Sequence, residues 1–285
     1  MRRPRTKLLV ILFLILASIG ISGYVGVKNA MADPVKRAAF VELTELPGDV
    51  KPIRIALLSD IHVGNFVMRP ERLSVIVDQV NKAKPDIVLL AGDFVIGESA
   101  EGTSQRALNL APLAQLRAPG GVFAALGNHD HWTDVGAVRL NLEKAGVKVL
   151  ENEAVRRGAI AIVGIGDRFS GHDDVAKAVA NAKNVGGVPI AFTHSPDLSP
   201  DLPKNFPVLL AGHTHCGQMV APLFGPIVRY SKWRRLYNPK YRCGMIRDDF
   251  RTTFVTAGVG SGAVPLRFGA MPDWWLITLR SHVTS

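Results

Sequence analysis

Residues 8–27 read LLVILFLILASIGISGYVGV, twenty positions without a charge. At 1.5 Å per residue a helix of that length crosses the hydrocarbon core of a bilayer. The rhythm then changes. Residues 31–52, with Pro47, Gly48 and Pro52, carry no sustained periodicity and read as a linker. From residue 53 short apolar runs alternate with polar turns and amphipathic segments. Runs at 53–59, 87–91, 122–126, 160–164, 188–193 and 208–211 are β-branched or leucine-rich and of strand length, and predict buried strands. Segments 70–82, 104–116, 134–145 and 173–182 space apolar residues by three and four, as helices packed on a sheet require. Residues 217–247 are rich in Pro, Arg and aromatics without a period, and 252–256 and 274–279 read as final strands. The expectation is an α/β fold: a leader at 1–30, a linker at 31–52 and one domain at 53–285.

Composition supports a packed core, since 47% apolar and 20% charged residues argue against disorder. The formal charge is +10, and Arg2, Arg3, Arg5 and Lys7 all precede the apolar stretch. The remaining surplus suits an anionic partner such as a phosphate ester, an acidic headgroup or nucleic acid. Those four cations, against Lys28, Lys36 and Arg37 after the stretch, place the N-terminus in the cytoplasm and the domain on the periplasmic or extracellular side. The expected location is therefore the membrane, by a single N-terminal span. The alternative is a secreted protein, cut after Ala30-Met31-Ala32 and before Asp33. Two cysteines, Cys216 and Cys243, exclude a disulfide-rich scaffold and a Cys-based zinc cluster, and leave open one bridge or two thiols.

Candidate chemistry collects at strand ends. Asp60 and His62 follow the first run, Asp93 the second, and Asn128 and His129 the third. His194 ends the fifth run, and His213 and His215 follow the sixth. The carboxyl edge of an α/β sheet is where sites are built. Each motif alone is a common turn or cap; the ordered set is not. Imidazole and carboxylate without thiolate suit Mn, Fe or Zn. Two divalent ions about 3.5–4 Å apart need a shared carboxylate, for which Asp93 is placed.

The order D60-x-H62, G92-D93, G127-N128-H129-D130, H194 and G212-H213-T214-H215 resembles the calcineurin-like metallophosphoesterase superfamily over residues 53–215. Gly217-Gln218 and Pro265-Leu266-Arg267-Phe268-Gly269 are similar to its bacterial membrane-anchored branch, which includes lipid-directed phosphodiesterases and a UDP-2,3-diacylglucosamine hydrolase. Cys216 departs from the glycine expected there. The resemblance implies a four-layer αββα sandwich with two divalent ions. Asp60, His62 and His215 would hold one, Asn128, His194 and His213 the other, with Asp93 shared. It implies hydrolysis of a phosphodiester or pyrophosphate by hydroxide that the metals activate, with His129 as acid and Asp130 fixing its orientation. The anchor favours a lipid or lipid-linked substrate. A phosphoprotein phosphatase or a nucleotide phosphodiesterase is the alternative on the same site, and a non-catalytic metal-binding scaffold the alternative of another class.

Arg168, in a loop after the fourth run, and Arg267 are candidate substrate-phosphate contacts. His131 reads as a surface residue, and Cys216 as a buried, inert side chain. Residues 229–242 interleave cations with Tyr230, Trp233, Tyr237 and Tyr241, a pattern that suits a membrane interface better than nucleic acid, given the anchor.

Overall fold

The computed structural model describes residues 4–231, 234–262 and 264–282; Arg2, Arg3 and Trp233 lie outside the described residues. Helix α1 (Pro4–Ala30) is followed by β1 (Val35–Leu43), β2 (Ile53–Leu58), α2 (Pro70–Lys82), β3 (Ile87–Ala91), α3 (Thr103–Ala107) and β4 (Val122–Ala125). Then come α4 (Asn128–Trp132), α5 (Val135–Lys144), β5 (Lys148–Val149), β6 (Glu153–Arg157), β7 (Ile160–Gly164), α6 (Val175–Val185), β8 (Val188–Phe192) and β9 (Val208–Ala211). Short strands β10 (Val220–Ala221), β11 (Gly225–Pro226), β12 (Tyr230–Ser231) and β13 (Arg234–Arg235) precede β14 (Gly244–Asp248), β15 (Arg251–Val255) and β16 (Asp273–Ser281).

Two six-stranded sheets form, ordered β1-β16-β2-β3-β4-β5 and β14-β15-β9-β8-β7-β6. Their central strands are buried on both faces. Along β2, Ile55 and Leu57 enter a core shared with Ile162, Ile190, Leu210 and Phe254 of the other sheet. Ala56 and Leu58 turn the opposite way, against Leu73, Ile76 and Val80 of α2. The second sheet is covered on its outer face by Ala178 and Ala182 of α6. The layers are thus helix, sheet, sheet, helix, the αββα sandwich expected. Double-sided burial explains why these strands are continuous apolar runs rather than alternating ones.

Three local outcomes differ from the sequence reading. The segment 104–116 divides into α3 and a 3-10 helix, Leu108–Gln115, because Pro112 has no N–H and crowds the preceding turn. Within 31–52, expected as a linker, β1 pairs in parallel with β16 from Val35↔Asp273 to Leu43↔Ser281. Strands β6 and β14 edge the second sheet, and their sequences EAVRR and GMIRD carry the charges that protect an exposed edge. Parallel pairing of β2, β3 and β4, and of β7, β8 and β9, brings the carboxyl ends of both sets to one rim. Helix α1 is the one helix among the described residues long and apolar enough to cross a membrane.

Candidate metal centre

The rim is built from unusual backbone. Asp60, His62, Asp93, His213 and His215 all have φ between 49° and 68°, the left-handed region that L side chains rarely occupy. Each such residue costs about 1–3 kcal/mol and persists only where its surroundings determine it. Here they do: Asp60 N–H donates to Gly92 O at 2.9 Å and His62 N–H to Asp93 O at 3.0 Å. At Gly212 an added Cβ would lie 1.7 Å from Ser59 Oγ and 2.7 Å from Asp60 Oδ2, so only glycine lets the His213 turn close on β2.

These turns aim donors at common points. His62 Nε2 and His215 Nε2 stand 3.2 Å apart, and Asp60 Oδ1 is 3.3 Å from His215 Nε2 and 3.8 Å from His62 Nε2. Asp93 Oδ2 lies 3.6 Å from His62 Nε2 and 3.2 Å from His194 Nε2. His194 Nε2 in turn faces His213 Nδ1 at 3.2 Å. Donors at 2.0–2.2 Å from one ion are separated by about 3–3.6 Å, so the spacing fits metal coordination. Asp60 Oδ1 and Asn128 Oδ1 are also buried without a hydrogen-bond partner, which a cation would supply. The outer nitrogens are committed: His194 Nδ1 is 2.8 Å from Ala91 O, and His213 Nε2 is 2.8 Å from Leu236 O. Donating there aims the facing nitrogen of each ring at the cluster, and leaves that of His213 as a lone pair.

Protonation fits the same role at three of the four histidines, His62, His213 and His215. Burial pushes His62 down to about 3, with Asp93 opposing, and pushes His213 down to about 4, helped by His194. Burial, with His62 and Arg267, also holds His215 well below its ordinary value. Neutral imidazole is the ligating form. Burial lifts Asp60 to about 6. Burial opposes charge on both Asp93 and His194, but their mutual attraction at 3.2 Å, together with His129 and His62 around Asp93 and Asp60 and Asp167 around His194, outweighs it, holding the carboxyl low and the imidazole high.

His129 is half-buried beside this cluster. Its N–H donates to Asp93 Oδ1 at 2.9 Å and its Nδ1 is 2.6 Å from Gly97 O. The Gly97 carbonyl therefore orients the ring, and the role expected of Asp130 is corrected. Asp130 instead accepts from the backbone N–H groups of Asp93, Phe94, Val95 and Gly127 at 2.8–3.3 Å, pinning the loops that carry Asp93 and Asn128. Burial and Asp93 push it up to about 7, while those four donors favour its charged form.

Arg267 is likewise corrected as a substrate contact. It is wholly buried, its guanidinium donating to the carbonyls of Ala257, Gly258, Gly260 and Ala270, with Nη2 3.2 Å from His215 Nδ1. Arg168 pairs with Asp173 and Asp201, outside the cleft. His131 is not a plain surface residue: its ring stacks on His172 and its Nε2 is 3.1 Å from Glu151. Cys216 is bonded to Cys243, so it is no free thiol.

A cleft of about 240 Å³ opens over Asn128, His129, His213 and His215. Its far walls are Trp132, Phe169, Tyr237, Met219, Val228 and Tyr230. Sequence reasoning missed Trp132, Phe169 and Met219, which sit in no periodic pattern; the aromatics within 229–242 were the one available signal.

The family model for calcineurin-like phosphoesterases matches residues 53–217. The "Transmembrane protein with metallophosphoesterase domain" of Danio rerio is 31% identical over 274 residues, covering 90% of this chain and 59% of that protein. The chain thus spans about three fifths of that relative's length. The metallophosphoesterase YkuE of Bacillus subtilis (strain 168) is 28% identical over 245 residues, covering 83% of this chain and 82% of that one. Among solved structures, a dimetal phosphatase from Danio rerio aligns with a TM-score of 0.42 at 12% identity, over 73% of this chain and 88% of that one.

Proposed function

This chain belongs to the calcineurin-like phosphoesterase family, and on that premise we propose that its Asp/His cluster holds two divalent ions and hydrolyses a phosphodiester or pyrophosphate bond of a lipid or lipid-linked substrate. One observation carries the reading: a single oxygen, Asp93 Oδ2, lies between His62 on one side and His194 on the other. It would be the shared ligand, with Asp60, His62 and His215 completing one shell and Asn128, His194 and His213 the other. When bound, the ions polarise the phosphoryl group and make water a nucleophile at neutral pH. Oxygen and imidazole donors suit Mn, Fe or Zn, and the disulfide removes both cysteines from ligation.

The chain's own residues supply the rest. With Nδ1–H donating to Gly97 O, His129 carries a second proton on Nε2 as imidazolium, which it passes to the departing oxygen, leaving the neutral ring. Trp132, Phe169 and Tyr237 wall the cleft with apolar surface that excludes water and suits the body of an amphiphile. Helix α1 anchors the domain, and the Cys216–Cys243 bridge suits an oxidising compartment outside the cytoplasm.

The test is Mn-supplemented hydrolysis of bis-p-nitrophenyl phosphate, p-nitrophenyl phosphate and phospholipid in mixed micelles, by the full chain and by Asp93→Ala and His129→Ala. Metal-dependent turnover that collapses in Asp93→Ala supports the centre, and preference for the micellar lipid supports the substrate. Brisk cleavage of soluble diesters with none of lipid would overturn the substrate class. A folded, metal-loaded protein inert on all three would overturn the enzyme.

A further inference from the structure

Five large apolar side chains crowd into eight residues after the last strand-end histidine, and all face solvent. Leu223 is 102% exposed, Phe224 78% and Ile227 66%, and Val228 and Tyr230 are exposed beside them. An apolar patch of this density on a folded surface marks a contact site. The backbone holds it outward: Leu223 has φ 69° in the turn between β10 and β11. Arg229 clasps that turn from within, donating to Phe224 O at 2.6 Å and Pro226 O at 2.9 Å.

The hairpin is tied to the end of α1. Val220 N–H donates to Phe268 O at 2.9 Å, and Phe268 N–H to Gln218 O at 2.9 Å. The preceding residue, Arg267, donates its N–H to Gly26 O at 3.0 Å, and Asn29 Nδ2 donates to Arg267 O at 3.1 Å. Gly26 is buried against the Phe268 ring, so closely that a Cβ there would lie 2.6 Å from it. The apolar stretch of α1 ends at Val27 and is followed by Lys28, so this junction stands where the helix leaves the apolar layer. Met219, Val228 and Tyr230 belong to the same segment and wall the cleft. Exposed Arg229 and Arg235 flank it, and cations beside an apolar wedge suit acidic headgroups.

We propose that the β10–β11 hairpin dips Leu223, Phe224 and Ile227 into the bilayer that carries α1, seating the mouth of the metal cleft on the membrane surface. The occupant of the apolar patch is lipid, because the patch is joined by backbone hydrogen bonds to the emerging end of the spanning helix. This rests on the reading of α1 as an anchor and deepens the reading of an amphiphilic substrate: the phosphate enters from the headgroup layer while the acyl portion stays in it.

The experiment uses the full chain in nanodiscs of equal parts phosphatidylcholine and phosphatidylglycerol. Both native cysteines are paired, so Leu223→Cys carries one environment-sensitive fluorophore; Phe250→Cys is the control, exposed and apolar at the opposite end of the second sheet. Doxyl-labelled lipid is expected to quench the label at 223 several-fold more strongly than at 250. Leu223→Asp/Phe224→Asp, neither of which lines the cleft, is expected to keep its rate on soluble bis-p-nitrophenyl phosphate while losing turnover of micellar phospholipid. Equal, weak quenching at both sites in discs that retain the chain after carbonate washing overturns the proposal and leaves the anchor standing. Cross-linking of the 223 label to a second chain, without quenching, overturns it in favour of self-association. Loss of the wild-type chain on washing removes the anchor itself, and a dead soluble esterase with strong quenching removes the enzyme but not the docking.

Discussion

His129 is held by its neighbours rather than by its sequence partner. The ring nitrogen on Gly97 O and the backbone N–H on Asp93 Oδ1 fix it beside the cluster without ligating. In the proposed role of proton donor it would contribute about 10²–10⁴-fold, and the contribution falls as the leaving group becomes more acidic. His129→Ala is therefore expected to slow an alkyl phosphodiester by that factor and p-nitrophenyl esters by much less; equal losses on both would assign the ring to binding the phosphoryl group instead. Asp130 acts on the backbone, so Asp130→Asn exchanges two accepting oxygens for one and sets an amide donor against N–H groups. Its metal affinity should fall about 10–100-fold, readable by competition with a chelator, while added Mn restores the rate. At Gly212 the obstacle is steric: Gly212→Ala should destabilise the fold by about 1–3 kcal/mol, seen as a lowered urea midpoint. Six of the seven ligand candidates, Asp60, His62, Asp93, His194, His213 and His215, stand within 3.8 Å of another because strand ends gather them. The fate of Arg267 was not legible, since a lone arginine near a motif carries no sign of whether its guanidinium meets substrate or four buried carbonyls.

Elements show where pattern succeeds. Strands β3, β7, β8 and β9, and β2 from Ile55 onward, are buried on both faces, so burial writes itself as unbroken apolar runs. Edge strands β1, β6 and β14 bury little and carry charge, so the linker reading of 31–52 and the unassigned stretches at 153–157 and 244–248 follow from the same physics. The segment from Gly217 to β14 lacks both periodicities because it is stapled rather than packed. Its staple is Cys216–Cys243, which closes 27 residues of chain. Loop-closure entropy for that length is about 3.5 kcal/mol. Cys216→Ser/Cys243→Ser, or reduction of the wild type, is expected to lower stability by about 2–4 kcal/mol in denaturant titration. A smaller loss would mean that the hydrogen bonds of Thr214 Oγ1 to Arg242 O and His213 to Leu236 O already hold the segment closed.

On the scale of the molecule, the two sheets meet at the Asp/His cluster, and five of the ten non-glycine residues with positive φ among the described residues lie in it. Asp60, His62 and Asp93 come from one sheet and His194, His213 and His215 from the other, five of the six on left-handed backbone. The His194–Asp93 pair apart, buried carboxylates and neutral imidazoles facing one another across that junction oppose its closure, and divalent ions would reverse the sign of the interaction. An ion at a hundredfold excess over its dissociation constant adds about 2.7 kcal/mol to the folded state. For a domain of this size that is about 5–10 °C in Tm. Chelation should therefore lower Tm by at least that much, and Mn should restore it. Under the proposed assignment Asn128→Ala would remove a ligand from one shell alone and should keep roughly half of the metal-dependent rise, whereas Asp93→Ala should keep little of it. A Tm indifferent to chelator in the wild type would mean that the His194–Asp93 ion pair already closes the junction between the sheets, and that metal is recruited only for turnover.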